Sequence, residues 1–295
     1  MAERQATTRT PGDERLAATL ALLDEGIAAT LTSDGFAAYL RTLARFPTYS
    51  ARNVALIHRQ RPDATRVAGY RAWQSLGRQV RRGERGLRIL VPYRHAATLT
   101  NGEDVTDAER ATTIAGFGVA TVFDLAQTDG EPLPAPTAPQ PLTSDSALAR
   151  WLWVRLAAFL AGEGVTLTRR ALSEGNGVYF PITQLIIVRA DLSDEQTAKT
   201  LAHECAHHVA LTRAIGAHGA SRADAETIAE GAAFATLARY GIDTGDYSFP
   251  YVAAWAADRA VVTHNLAAIR ETAATLIAAI EGEPDMGATD VPRAA

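Results

Sequence analysis

The chain has 295 residues, 47% of them hydrophobic, and a formal net charge of −4; that apolar content supports one large domain or two modest ones. No run of about 18 apolar residues could span a membrane, and the polar residues 1–12 lack the apolar stretch of a signal peptide. The single cysteine, Cys205, excludes an intramolecular disulfide and suits a reducing compartment, so a cytoplasmic protein with no membrane partner is expected.

The net charge hides an asymmetry. Between Arg52 and Arg94 lie eleven arginines opposed only by Asp63 and Glu84, a local charge of +9 that leaves about −13 for the remainder. Such a split points to one region that meets a polyanion and another that does not.

In chain order, residues 13–45 carry apolar residues at helical spacing in two runs, broken at Thr32-Ser33-Asp34-Gly35, where Ser33 or Asp34 is the expected N-cap. A short helix over 53–59 stops before Pro62. The period then changes to that of strands at 66–70, 87–93 and 116–123, with a short helix at 72–76. Residues 77–86 hold three glycines and four arginines, the composition of a turn-rich loop that exposes its cations. Residues 101–109 read as an acidic hairpin tip. Five prolines between 129 and 146, with almost no large apolar residue, make a stiff linker. The expected division is therefore a first domain over 13–128, a linker over 129–145, a second domain over 146–281 and a polar tail over 282–295.

The second half opens with a helix near 146–160 and short strands at 165–168, 178–180 and 185–188. Ser193-Asp194-Glu195-Gln196 is a capping-box signature that starts the next helix. That helix contains His203-Glu204-Cys205-Ala206-His207, an H-E-x-x-H motif. Residues four apart share a helix face, so His203 and His207 can address one ion, with Glu204 placed to hold a water. Zinc hydrolysis needs such a set: the metal acidifies a water and the carboxylate takes its proton. A third protein ligand is required, and the helix expected over 221–240 offers Glu226 and Glu230, also four apart, among alanines that let it pack closely. Glu226 is read as the ligand and Glu230 as a hydrogen-bond partner of a ligand imidazole. Alone, two such glutamates would be a solvated face. His208 and Cys205 fall off the ligand face; His208 is read as a surface or packing histidine and Cys205 as a small buried residue. His218, Tyr179, Tyr247 and Tyr251 are all open as the group that polarises a substrate carbonyl. A long alanine-rich helix over 250–280 ends the fold, which is α+β overall: a small basic α+β domain followed by a mainly helical one with a small sheet.

In the first half, arginines interleaved with Tyr70, Trp73 and Tyr93 fit a phosphate-tracking groove with stacking positions for single-stranded nucleic acid. The alternatives are a solvated arginine face, arginines that pair with the acidic second domain, and a core position for Trp73.

The string Arg52-Asn53, Gly69-Tyr70-x-x-Trp73-x-x-Leu76-Gly77-Arg78-x-Val80-Arg81-x-Gly83-Glu84-x-Gly86 and Ile89-x-x-Pro92 resembles the N-terminal single-stranded-DNA-binding domain of ArdC-type antirestriction proteins. Val122-Phe123-Asp124-x-x-Gln127-Thr128 resembles that domain's closing strand. The second half is similar to zinc metallopeptidases of the ImmA/IrrE kind, through H-E-x-x-H followed by E-x-x-A-E and Gly231-Ala232-Ala233-Phe234. The resemblance implies single-stranded DNA as a ligand, bound through residues such as Arg52, Asn53, Trp73, Arg78, Arg81, Arg82 and Arg85. It also implies Zn2+ on His203, His207 and Glu226, Glu204 as catalytic base, an unknown protein substrate, and protection of incoming mobile DNA. The chain departs from the family pattern in the adjacent histidine His208 and in Tyr247-Ser248-Phe249-Pro250-Tyr251. Two other functions fit the same residues: a DNA-coating protein with a structural zinc, and a protease that responds to single-stranded DNA by cleaving a repressor.

Overall fold

The computed structural model describes residues 10–94, 114–133, 145–215, 221–242 and 259–282. The expected hairpin tip, most of the proline linker, the polar tail, His218, Tyr247 and Tyr251 lie outside the described residues. Among the described residues the fold is α+β, and no single helix is long and apolar enough to cross a membrane.

The chain forms two compact units that interleave in sequence: residues 27–54 group with 132–290, while the segments before and after 27–54, up to Glu131, form the other unit. The units change between Glu131 and Pro132, and also on either side of residues 27–54, inside the stretch expected to be the first domain. The physical reason is α2 (Ser33–Arg45), whose apolar residues Phe36, Tyr39, Leu40 and Leu43 are fully buried and which packs against a helix of the second half. Helix α1 spans Pro11–Ala29. Thr32, not Ser33 or Asp34, caps α2: its backbone is extended and its hydroxyl accepts from the Gly35 N–H at 3.1 Å. Gly35 has to lack a side chain, since a Cβ there would lie 1.9 Å from the Ala29 carbonyl oxygen.

In the first unit, β1 (Val67–Gly69), β3 (Leu87–Arg94) and β4 (Ile114–Asp124) form an antiparallel sheet of order β1-β4-β3. Helix α3 (Ala51–Gln60) precedes β1, and α4 (Tyr70–Ser75) begins directly after it, so Tyr70 is helical where a strand residue was expected. The arginine segment is not wholly a loop. Arg78–Val80 is strand β2, paired antiparallel with β5 (Thr128–Gly130) so that Gln79 faces Asp129. Asp124 joins these pieces. It is 1% exposed, accepts from the backbone N–H groups of Thr65 and Arg66, and forms a reciprocal cap with Gln127.

In the second unit, α5 (Asp145–Gly162), α6 (Asp194–Thr212), α7 (Arg222–Arg239) and α8 (Arg259–Glu281) pack as a bundle. Beside them lies a sheet of order β6-β8-β7, with β6 (Thr166–Arg170) parallel to β8 (Leu185–Arg189) and β7 (Gly177–Phe180) antiparallel at one edge. Of the alanines expected to slim α7, Ala229, Ala232 and Ala233 are fully buried and that helix lies close to α6, whereas Ala225, in its first turn, is exposed. The Arg270 guanidinium donates to the Tyr49 carbonyl at 2.9 Å, and Arg41 lies 5.4 Å over the Phe234 ring, tying α2 and its following turn to α7 and α8.

Candidate metal centre and basic face

Helix α6 is capped by Ser193, whose hydroxyl accepts from the Gln196 N–H, and it presents His203 and His207 on one side. Helix α7 is capped by a reciprocal Ser221–Asp224 box and presents Glu226. The three residues converge. His203 Nε2 and His207 Nε2 are 3.0 Å apart, and Glu226 Oε2 lies 3.5 and 3.4 Å from them. A tetrahedral ion with metal–ligand bonds of ~2.0–2.1 Å needs donors separated by about 3.3 Å, so the triangle has the right size. Two imidazole nitrogens facing each other beside a carboxylate are also the donor chemistry of a divalent transition metal. The histidine side chains are 22% and 24% exposed and Glu226 45%, so the cluster is open on one side rather than enclosed.

The electrostatics follow from this crowding. Burial pulls the His203 pKa down, but contact with Glu226 and the charges of Glu204 and Glu230 outweigh it, leaving it raised. His207 is lowered, by burial first and then by His203. Contact with His203, against the opposing effect of burial, holds Glu226 down at about 2. Glu230 Oε2 lies 3.7 Å from His203 Nδ1. That is beyond hydrogen-bonding range, so the hydrogen bond expected between Glu230 and a ligand imidazole is replaced by a longer charge contact.

Glu204 is 7% exposed. It lies against β7, where the Tyr179 backbone N–H donates to it, and burial pushes its carboxyl up to about 7. Gly177 makes the approach possible: a Cβ there would stand 2.5 Å from Thr200 Cγ2 and 2.9 Å from Glu204 Oε1. Cys205 is buried as expected, at 0% exposure, and of the two readings of His208 the structure takes packing over surface, at 1% exposure. The Tyr179 hydroxyl is engaged by His208 Nδ1 at 2.9 Å and receives the Gln184 amide at 3.1 Å. That pairing is invisible in the sequence, where the residues are 29 apart.

The basic residues divide by role. Trp73 is fully buried and its indole N–H donates to the Phe123 carbonyl at 2.8 Å, so it is core and offers no face to a base. Arg78 is turned back onto β5, donating to Thr128 Oγ1 and to the carbonyls of Thr128, Gly130 and Glu131. Arg81 is held by Glu84 at 2.8 Å, by Asp129 at 3.4 Å and by the Ala126 carbonyl. Arg82 and Arg85 are exposed and have no ion-pair partner among the described residues. Arg52 is exposed and Asn53 half-buried at the start of α3; both belong to the unit that contains α2. Tyr70, a stacking position expected from the sequence, is 44% exposed, and the aromatic residue that sequence reasoning did not isolate is Phe123, edge-on to it at 6.4 Å between ring centroids. Its signal was the alternation of β4, which buries Val122 and turns Phe123 to the other face.

These features define an α+β protein of two units, a basic sheet-bearing one and a helical one with a two-histidine, one-carboxylate donor cluster. Residues 25–123 match the family model of the N-terminal domain of anti-restriction factor ArdC, and the chain is ArdC-like. A crystal structure of the antirestriction protein ArdC from the R388 plasmid, metal-free, superposes with a TM-score of 0.50 at 21% identity, covering 79% of this chain and 85% of that one. The Mn(II)-bound structure of the same protein gives a TM-score of 0.47 at 19% identity, covering 83% and 98%. An uncharacterized protein of Bacillus anthracis is 21% identical, covering 81% of this chain and 46% of its own length, so the chain spans about half of that relative.

Proposed function

We propose that this protein is a cytoplasmic ArdC-like factor that binds single-stranded DNA through its basic unit and hydrolyses a peptide bond at its helical unit, in the protection of incoming mobile DNA. The observation that carries the reading is the donor triangle of His203, His207 and Glu226 beside a buried carboxylate, Glu204. Zn2+ held by the triangle would polarise a carbonyl and lower the pKa of a water. Helices α6 and α7 fix the three donors through their caps and their alanine-mediated contact. Glu204, oriented by the Tyr179 N–H and raised by burial, takes and returns a proton. The cluster's open side leaves access for a substrate. Exposed arginines on the basic unit supply phosphate contacts.

The test has two arms. Wild-type protein with zinc should cleave a peptide substrate, and Glu204→Gln should bind the same metal while losing cleavage; retained cleavage in that variant contradicts the mechanism. Gel shifts at two salt concentrations should show single-stranded DNA bound more tightly than duplex, weakening as salt rises. Equal or absent binding contradicts the DNA arm.

A further inference from the structure

The first unit contains a cavity of about 590 Å3 lined by Tyr70, Gln79, Val80, Arg81, Arg82, Glu84, Phe123 and Asp129. Its volume is in the ~300–1,000 Å3 range of pockets that hold small organic groups. Tyr70 and Phe123 meet edge to face in its lining, which holds the Tyr70 ring, and the Gln79 amide donates to the Tyr70 hydroxyl at the ring's rim. Val80, 8% exposed, is the aliphatic lining residue; cross-strand pairing sets Gln79 opposite Asp129.

The charges in this cavity decide what can enter it. Two carboxylates, Glu84 and Asp129, line it, and the nearest arginine, Arg81, is already paired with both. A phosphate would meet those carboxylates with no uncommitted cation except Arg82. A flat, uncharged ring with hydrogen-bonding edges meets no such conflict: it can stack on the aromatic pair, and a carboxylate accepts from an exocyclic amine. Arg82 and Arg85 nearby in sequence are exposed and left for phosphates.

We infer that this cavity seats one unstacked nucleobase of a DNA single strand, with Tyr70 and Phe123 as its stacking surface and Arg82 and Arg85 on the flanking phosphates. The inference rests on the reading of this unit as a single-strand binder, and it identifies which part of the strand is held. Duplex DNA cannot use the seat, because its bases are already stacked and paired.

Fluorescence anisotropy on the full chain tests the seat, with a labelled single strand and the same strand made abasic, against wild type, Tyr70→Leu and Tyr70→Phe. Tyr70→Leu should bind the intact strand about tenfold more weakly, the effect of losing one base–aromatic stack. Tyr70→Phe should keep wild-type affinity, showing that the ring and the fold are intact. Wild type and Tyr70→Leu should bind the abasic strand equally, with the same salt dependence, since phosphate contacts are unchanged. Wild-type binding of the intact strand that Tyr70→Leu leaves unaltered overturns the seat alone, as does an equal loss on both strands. No binding of any single strand by wild type overturns the DNA reading itself.

Discussion

Glu204 owes its position as much to Gly177 as to the helix that carries it. The Gly177 backbone runs so close to Glu204 and Thr200 that a methyl group has no room. Gly177→Ala should therefore cost about 1–3 kcal/mol through overpacking, read as a lower midpoint in denaturant unfolding. Cys205 illustrates the opposite case, a reactive residue type made inert. It is fully buried, and burial pushes its thiol pKa up. The native protein should resist alkylation and react once unfolded; rapid native labelling would contradict its buried position. Among the arginines, charge in the sequence does not distinguish those that bind from those that build. Arg78→Ala should lower the melting temperature, because four hydrogen bonds to β5 and the residue after it are lost. Arg82→Ala should leave stability unchanged and reduce the salt slope of DNA binding by about 1.

Elements were legible where a local pattern determines them. The apolar spacing of α2, the Ser193 cap, the helix over 221–240 and the strand periods of β3 and β4 all correspond to observed structure within a few residues. The site helices were legible for the same reason: His203 and His207 are four apart on α6, and Glu226 precedes the alanines that draw α7 against it. What the sequence left hidden is non-local. Strand β2 is three residues long and exists because it pairs with β5, about fifty residues away. Trp73 is buried because Phe123 supplies its hydrogen-bond acceptor. Residues 27–54 join the second unit because α2 packs on α7, which no property of α2 alone specifies. Ser221→Ala should cost about 1 kcal/mol by removing the α7 cap, measured by chemical denaturation; no change would mean that helix packing alone fixes the start of α7.

At the scale of the molecule, two units of opposite character share one chain. One concentrates positive charge and an aromatic cavity, and the other holds a donor triangle with a buried carboxylate beside it. The chemistry proposed for Glu204 depends on that triangle being a metal centre. Isothermal titration of zinc into metal-stripped protein, with elemental analysis of the product, tests this directly. One ion per chain should bind wild type, binding should survive in Glu204→Gln, and it should be lost or greatly weakened in His203→Ala, His207→Ala and Glu226→Ala. Undiminished zinc binding in those three variants would contradict the account.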